Sequence, residues 1–245
     1  MSKLRCLITL ISFLSASLAF AETPSYICHL SISSPSGEGN VCNAVHVGHG
    51  RLLSASHCFP HGKNTISQGI ILANCGAEEF MEFTNLKKSN VYQQTGFYED
   101  ISLLEFSSII KADSVSPTNY PSMYIEGGQL RNGVECEVLA LRGNYPAANL
   151  KRIKVDKSMD LKIMNNASGP AQILMQTKSG APILEGKNFL EGDSGGALVC
   201  RYSKFAREEL VGIVMSYGRE RDTKEIRYNS FSPVFGLEAK RLLNN

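Results

Sequence analysis

The segment Glu191-Gly192-Asp193-Ser194-Gly195-Gly196-Ala197-Leu198-Val199-Cys200 sets a serine among glycines, just before an apolar run. Glycine neighbours let a hydroxyl stand outward on a tight turn and let another backbone come close. Ser194 is therefore a candidate nucleophile, and the backbone N–H groups of Gly192 and Ser194 are candidate donors to a developing oxyanion. A serine hydroxyl attacks well only when a base takes its proton and an acid orients that base. Leu52-Leu53-Ser54-Ala55-Ser56-His57-Cys58 puts a histidine at the end of an apolar strand. Glu99-Asp100-Ile101-Ser102-Leu103-Leu104 puts an acid at the start of another. Together these three segments carry the parts of a nucleophilic acyl transfer.

Two other chemistries compete for the same residues. Gly192 to Gly196 also satisfy G-x-S-x-G, the nucleophile elbow of α/β-hydrolases, which need their histidine after the serine. The five histidines are His29, His46, His49, His57 and His61, so none follows Ser194, and strands do not alternate with helical patterns. A metal site would have to gather His46, His49, His57 and His61. His46 and His49 lie three apart on a strand and turn and should face opposite ways, and no C-x-x-C spacing occurs. The reading is no metal and no cofactor.

The elements that must position these groups read as short strands. Apolar segments at 26–32, 44–47, 52–55, 66–73 and 101–106 are candidates in the first half, and 134–141, 150–155, 173–175, 197–202 and 210–215 in the second. Turn-formers such as Ser33-Ser34-Pro35-Ser36-Gly37 separate them. The pattern predicts an all-β sandwich or barrel. One helix is expected at the end, on Phe235, Leu237, Leu242 and Leu243. A stretch at 107–129, rich in Ser, Pro, Tyr and Gly, reads as a crossing linker. A boundary near 120 gives three segments: 1–21, 22–120 with His57 and Asp100, and 121–245 with Ser194 and the helix.

Residues 1–21 have the form of a secretory leader: Lys3 and Arg5, an apolar run from Leu7 to Phe20, then Ala19-Phe20-Ala21. The run is too short for a comfortable membrane span and no charged stop follows, so no membrane association is expected after cleavage. The full chain has 25 basic and 23 acidic residues; removing Lys3 and Arg5 leaves 23 of each. A neutral balance argues against non-specific nucleic-acid binding. Cys6 also leaves, and six cysteines remain: Cys28, Cys42, Cys58, Cys75, Cys136 and Cys200. An even number in an exported chain indicates disulfides, but arithmetic alone does not assign them. Asn166-Ala167-Ser168 is a glycosylation sequon, of consequence only in a eukaryotic secretory pathway.

Taken in order, the three segments resemble the trypsin/chymotrypsin family. Ser54-Ala55-Ser56-His57-Cys58 is similar to its [TS]-A-[AS]-H-C, Asp100 to Leu104 to its D-I-[AT]-L-L, and Gly192 to Gly196 match G-D-S-G-G. The spacings, 43 residues from His57 to Asp100 and 94 from Asp100 to Ser194, are also similar. Leu210-Val211-Gly212-Ile213-Val214 and Ser216-Tyr217-Gly218 resemble the strand that lines the family's substrate cleft. The resemblance covers the whole mature chain. It implies two six-stranded antiparallel Greek-key β-barrels with a C-terminal helix, and a monomeric serine endopeptidase acting on protein or peptide substrates. It implies Ser194 as nucleophile, His57 as general base and then acid, Asp100 as its orienting acid, and Gly192 with Ser194 as the oxyanion hole. Ser216 would support Asp100 and, with Tyr217 and Gly218, line the substrate site. The family's bridges match Cys42 with Cys58 and Cys136 with Cys200. Cys28 and Cys75 are paired as the remainder, both in the first barrel.

The chain also departs from the family's pattern. Cleavage in many members frees an Ile-Val-Gly-Gly type terminus that pairs with the acid just before the nucleophile. Asp193 holds that position, yet no such terminus is seen, nor room for a propeptide between Ala21 and the strand near Tyr26. Asp193 then needs another cationic or hydrogen-bonding partner, or its loop stays unformed until something binds. Six residues before Ser194, where trypsin-like members carry an acid that selects Lys or Arg, stands Asn188. The bridge beside that pocket is missing, with Leu190 at one of its positions, and Ile226 would replace a small wall residue. A small or neutral side chain is expected before the cleaved bond, while Lys187, Arg219 and Lys224 keep an acidic preference open and Glu191 is a rim residue. The other class of reading is a catalytically silent module of this fold that binds a protein partner.

Overall fold

A computed structural model describes residues 24–33, 39–59, 70–75, 81–95, 98–106, 112–119, 124–126, 129–143, 148–167, 169–189, 191–203 and 205–244. The leader 1–21, His61, Leu190, Ser168 and much of the 107–129 linker lie outside these residues.

Six strands of the first half close a barrel in the order β1-β2-β3-β6-β5-β4. They are β1 (Ile27–Ser33), β2 (Gly39–His46), β3 (Arg51–Ser54), β4 (Ile70–Cys75), β5 (Met81–Lys88) and β6 (Ser102–Phe106). Before β6, Ser89 caps a one-and-a-half-turn helix, α1 (Asn90–Thr95), its Oγ accepting the Tyr92 N–H at 3.1 Å. In the second half, seven antiparallel strands run in the order β11-β10-β14-β15-β16-β13-β12. Their ranges are β10 (Glu135–Arg142), β11 (Asn149–Val155), β12 (Met159–Asn166), β13 (Gly169–Thr177), β14 (Ala197–Arg201), β15 (Glu209–Arg219) and β16 (Ile226–Pro233). Three two-residue strands complete the sheets: β7 (Ser116–Pro117) lies parallel on β15, and β8 (Ile125–Glu126) pairs with β9 (Gln129–Leu130). A single helix, α2 (Leu237–Asn244), ends the described chain.

The expected pair of antiparallel barrels with a terminal helix is thus present. The second has one strand more than the six anticipated. β12 is the addition: it alternates buried Met159 and Leu161 with half-buried Asp160 and exposed Lys162, and follows β11 through a tight turn, Met159 N–H donating to Asp156 O at 3.0 Å. Among the described residues no ladder joins β11 to β12, so this barrel is closed by side-chain packing and not by a continuous hydrogen-bond ring.

Continuous apolar runs such as Leu52-Leu53 and Leu103-Leu104 have a simple origin. Side chains alternate across a strand. Leu52 and Leu104 fill the first barrel's own core, and Leu53 and Leu103 fill a second core between the barrels. In the other half Val138, Ala140 and Leu198 point into the second barrel, and Leu139, Leu141, Ala197 and Val199 point into that shared core. Ala239 and Leu242 of α2 close it from one end. Both faces of these strands are therefore dry, which erases the polar alternation of a one-sided sheet. Burying a Leu-sized side chain contributes about 1.5–3 kcal/mol, so the shared core is a substantial bond between the halves.

The three disulfides are Cys28–Cys75, Cys42–Cys58 and Cys136–Cys200. Cys28 faces Cys75 across β1 and β4, and Cys136 faces Cys200 across β10 and β14.

Candidate active site

His57 lies in a three-residue helical turn (Ser56–Cys58) that follows β3 directly. Ser56 Oγ donates to Ile101 O at 2.6 Å, and Cys58 is bridged back to β2. Asp100 sits just before β6 and is almost fully buried, with 4% of its side chain exposed. Its Oδ2 lies 2.5 Å from His57 Nδ1, and its Oδ1 accepts the His57 backbone N–H at 2.9 Å. One carboxylate thus fixes both the ring and the main chain that carries it. The turn into Asp100 is tight. Glu99 has φ 49°, in the left-handed region, and Ile101 N–H donates to Glu99 O at 2.8 Å. The Glu99 carboxylate accepts the Glu238 N–H of α2 at 3.1 Å, and burial pushes its carboxyl up.

Two further buried groups adjoin Asp100. Lys88, 6% exposed at the end of β5, donates from Nζ to Phe59 O at 3.2 Å. Burial pushes its ammonium down and the Asp100 charge opposes that shift. Burial, then the same charge, pushes the Tyr92 hydroxyl up to about 12. Ser216 was expected to support Asp100, and here the structure differs. Its Oγ is 2.7 Å from Ser230 Oγ on the neighbouring strand. The hydroxyl that reaches this turn is Ser232, which donates to Asp100 O at 2.9 Å.

Ser194 comes from the loop between Phe189 and β14, in the other half. Its Oγ is 2.8 Å from His57 Nε2. The loop's path demands glycine at two points. Gly192 has φ 88°, and a Cβ on Gly195 would stand 1.8 Å from Asn43 O of β2. Gly195 N–H donates to Val214 O at 2.9 Å and Gly196 N–H to Asp193 O at 3.1 Å, which ties the turn to β15 and to itself.

Asp193 is fully buried, and its partner is Arg142 at the end of β10. The contact is bidentate, Nε to Oδ1 at 2.6 Å and Nη2 to Oδ2 at 2.5 Å, the strong planar geometry of guanidinium on carboxylate. Those hydrogen bonds push the Arg142 guanidinium up. Lys151 Nζ stands 3.8 Å from Asp193 Oδ2 and also donates to Asn188 O. Burial pushes the Lys151 ammonium down, Asp193 opposing and Arg142 adding to the shift. Arg142 carries no sequence signal of its own. A search for a cation on the strand beside the nucleophile loop would have reached it.

A cavity of about 170 Å³ opens beside Ser194 and His57, lined by Phe189, Glu191, Val214, Met215, Ser216 and Tyr217. Asn188, expected in this pocket, instead lines a separate cavity with Arg142 and Lys151. The reason is local. Phe189 N–H donates to Asn229 Oδ1 at 3.0 Å and its ring meets Phe231 edge-on at 6.3 Å. Phe189 is thereby turned inward and its neighbour away. Ser216 and Tyr217 line the pocket as expected, while Gly218 is backed by the Tyr228 ring, where a Cβ would come within 2.2 Å. Ile226 packs in the second barrel's core. Arg219 lies over the Tyr217 ring at 4.8 Å, and Lys187 pairs with Asp156 at 2.5 Å.

Among known protein families, the model described as Trypsin matches residues 19–238. No curated protein matches the chain.

Proposed function

The chain belongs to the trypsin family, and from that premise we propose that it is a secreted serine endopeptidase working through an acyl-enzyme. Ser194 Oγ attacks the carbonyl carbon of a peptide bond while His57 Nε2 takes its proton. The Gly192 and Ser194 N–H groups receive the oxyanion. His57 then returns the proton to the leaving amine, and water hydrolyses the ester by the same steps in reverse. Asp100 holds the ring in the tautomer with its proton on Nδ1 and stabilises the imidazolium. The observation that carries this reading is the unbroken line Ser194 Oγ, His57 Nε2, His57 Nδ1, Asp100 Oδ2, with steps of 2.8 and 2.5 Å.

A silent binding module would also fit the fold. Arg142 on Asp193 favours the active reading, because it gives the acid beside the nucleophile a partner within the chain. In this reading the leader 1–21 is removed, 22–120 supplies base and acid, and 121–245 supplies the nucleophile. The mature monomer acts outside the cytoplasm on proteins or peptides. Among the described residues no helix is long and apolar enough to cross a membrane.

The pocket beside Ser194 supports an uncharged, apolar residue before the cleaved bond. Phe189, Val214, Met215 and Tyr217 line it, and its acidic liner, Glu191, is exposed. Its volume is near that of a cavity of about 150 Å³ known to admit benzene, so a Leu or Phe side chain fits.

The test is labelling of residues 22–245 with a fluorophosphonate, beside Ser194→Ala and His57→Ala. The expected result is stoichiometric labelling of Ser194, lost in both variants, with kcat/KM reduced at least about 10⁴-fold. A folded wild type that takes no label overturns the peptidase reading. A peptide library should then favour Leu or Phe over Ala by about 10–200-fold. Preference for Lys or Arg would reject the apolar pocket.

A further inference from the structure

We propose that Asn43, on the first barrel, is a positioning residue that sets the nucleophile loop of the second barrel in register with His57. The inference rests on the serine-peptidase reading above.

Asn43 is fully buried on β2, beside Cys42, whose bridge reaches the residue after His57. Both hydrogens and the oxygen of its side-chain amide are engaged. Nδ2 donates to Gly192 O at 2.9 Å and to Leu141 O at 3.2 Å, and Oδ1 accepts the Leu141 N–H at 2.7 Å. Its main chain works on the same loop and on β3. Asn43 N–H donates to Ser194 O at 2.7 Å, and Ser54 Oγ donates to Asn43 O at 2.6 Å. One residue therefore holds the carbonyls of both Gly192 and Ser194, the two residues whose N–H groups are assigned to the oxyanion.

Glycine at position 192 explains why an outside hold is needed. Without a Cβ its backbone is free to adopt positive or negative φ, so the loop does not choose its own conformation. Rotating the peptide after Gly192 would break the bond to Nδ2 and leave a buried donor and a carbonyl unpaired, a costly pair of losses. Arg142 binds the side chain of Asp193 between these residues, and Leu141 precedes it in β10. The end of β10 thus joins both holds. Since a misplacement of about 1 Å at a reacting centre costs on the order of 100-fold in rate, Asn43 acts on catalysis without touching substrate.

The experiment compares Asn43→Ala and Asn43→Asp with wild type, with kcat counted per active site titrated by fluorophosphonate. Asn43→Asp keeps an acceptor for Leu141 N–H and loses both donors. The expected result in both is a fall in kcat of about 30- to 100-fold with KM within about threefold. The affinity for a peptide boronic acid, which forms a tetrahedral adduct on the serine, should fall in parallel with kcat/KM. A structural role alone would reduce the number of titrated sites and leave kcat per site within about threefold; that outcome overturns the proposal. Should neither variant fold, amide exchange of the wild type decides. Leu141 N–H should then exchange only through global opening, and exchange at the rate of a surface loop overturns the hold. A wild type that takes no label removes the peptidase reading, and the role of Asn43 with it. A labelled wild type with indifferent variants removes the role of Asn43 alone.

Discussion

His57 and Asp100 sit on a barrel closed by a continuous ladder and crossed by two disulfides, Cys28–Cys75 and Cys42–Cys58. Ser194 sits on a barrel in which, among the described residues, no ladder joins the two end strands β11 and β12, and whose disulfide, Cys136–Cys200, lies on β10 and β14. The ion pairs show the opposite bias. Among the described residues the first half has Lys87–Glu105 and His57–Asp100. The second includes Arg142 and Lys151 with Asp193, Arg152–Glu137, Lys178–Asp160, Lys187–Asp156, Arg201 with Glu135 and Glu208, Arg227 with Glu220 and Glu225, and Arg241–Glu238. In the proposed reading the base and its acid stand beside strand ends, just after β3 and just before β6, where the backbone already holds them. The proposed nucleophile stands on a glycine loop, which is held by charge and by the neighbouring barrel. Rigidity has to be imported where conformational freedom is needed for substrate to come close.

Arg142→Met tests that contrast most severely. Asp193 would stay buried without its bidentate guanidinium, with Lys151 still 3.8 Å away, and breaking such a pair costs about 3–5 kcal/mol. Urea unfolding should report a loss near the lower end, because Lys151 remains, and kcat/KM should fall by about 100-fold or more. Unchanged activity would show that the loop holds itself, and the contrast would collapse. Replacing Cys42 and Cys58 together by Ala should cost about 2–3 kcal/mol, since the bridge closes a loop of 16 residues. The first barrel's ladder should still present His57, so kcat per titrated site should fall less than in Arg142→Met. A larger fall would mean that the bridge, and not the ladder, positions the base.

The smallest effect is expected from an exposed ion pair that includes none of the three candidate reacting side chains. Lys187, followed by Ser158, holds the Asp156 carboxyl down at about 2 from its ordinary 3.8. A depressed acid contributes stability above its ordinary value and loses it as pH falls through its folded value. Asp156→Asn should therefore lower stability by less than about 1 kcal/mol at pH 6, since both partners are over a third exposed. That difference should vanish between pH 4 and about 2. A pH-independent difference in urea midpoints would deny the pair any ionic contribution and weaken the picture of a charge-held half.

The three candidate side chains stood out because each lies in a short segment whose local chemistry is distinctive: a histidine closing an apolar strand, an acid opening one, a serine among glycines; the structure brings the three within hydrogen-bond distance. Strands with a strong apolar signal, such as 52–55 and 197–202, were legible for the same reason. β5, β12 and β16 were not, since MEFTNLKK, MDLKIMNN and IRYNSFSP mix polar residues into the run and owe their state to the strands they pair with, β4 and β6, β13, and β13 and β15. Arg142 and Asn43 show the same limit within the site. Each acts across a long stretch of chain, 51 residues from Arg142 to Asp193 and 149 from Asn43 to Gly192. No spacing rule connects such positions. Phe189 stands in the pocket in place of Asn188 because the hydrogen bond from its N–H to Asn229 Oδ1 and the Phe231 ring set which of two adjacent side chains turns inward.

α2 follows both barrels in the chain, yet its polar contacts are with the first. Arg51 donates to Leu243 O at 2.7 Å, Glu99 receives Glu238 N–H at 3.1 Å, and Arg241 donates to Lys88 O at 3.3 Å. During synthesis, the half that emerges first therefore waits for the last segment before the turn around Asp100 gains its final support. A nascent chain carries its histidine and acid long before it carries its serine, and it carries its serine before that turn is braced. On the peptidase reading, an unfinished chain would lack that brace until α2 has been made.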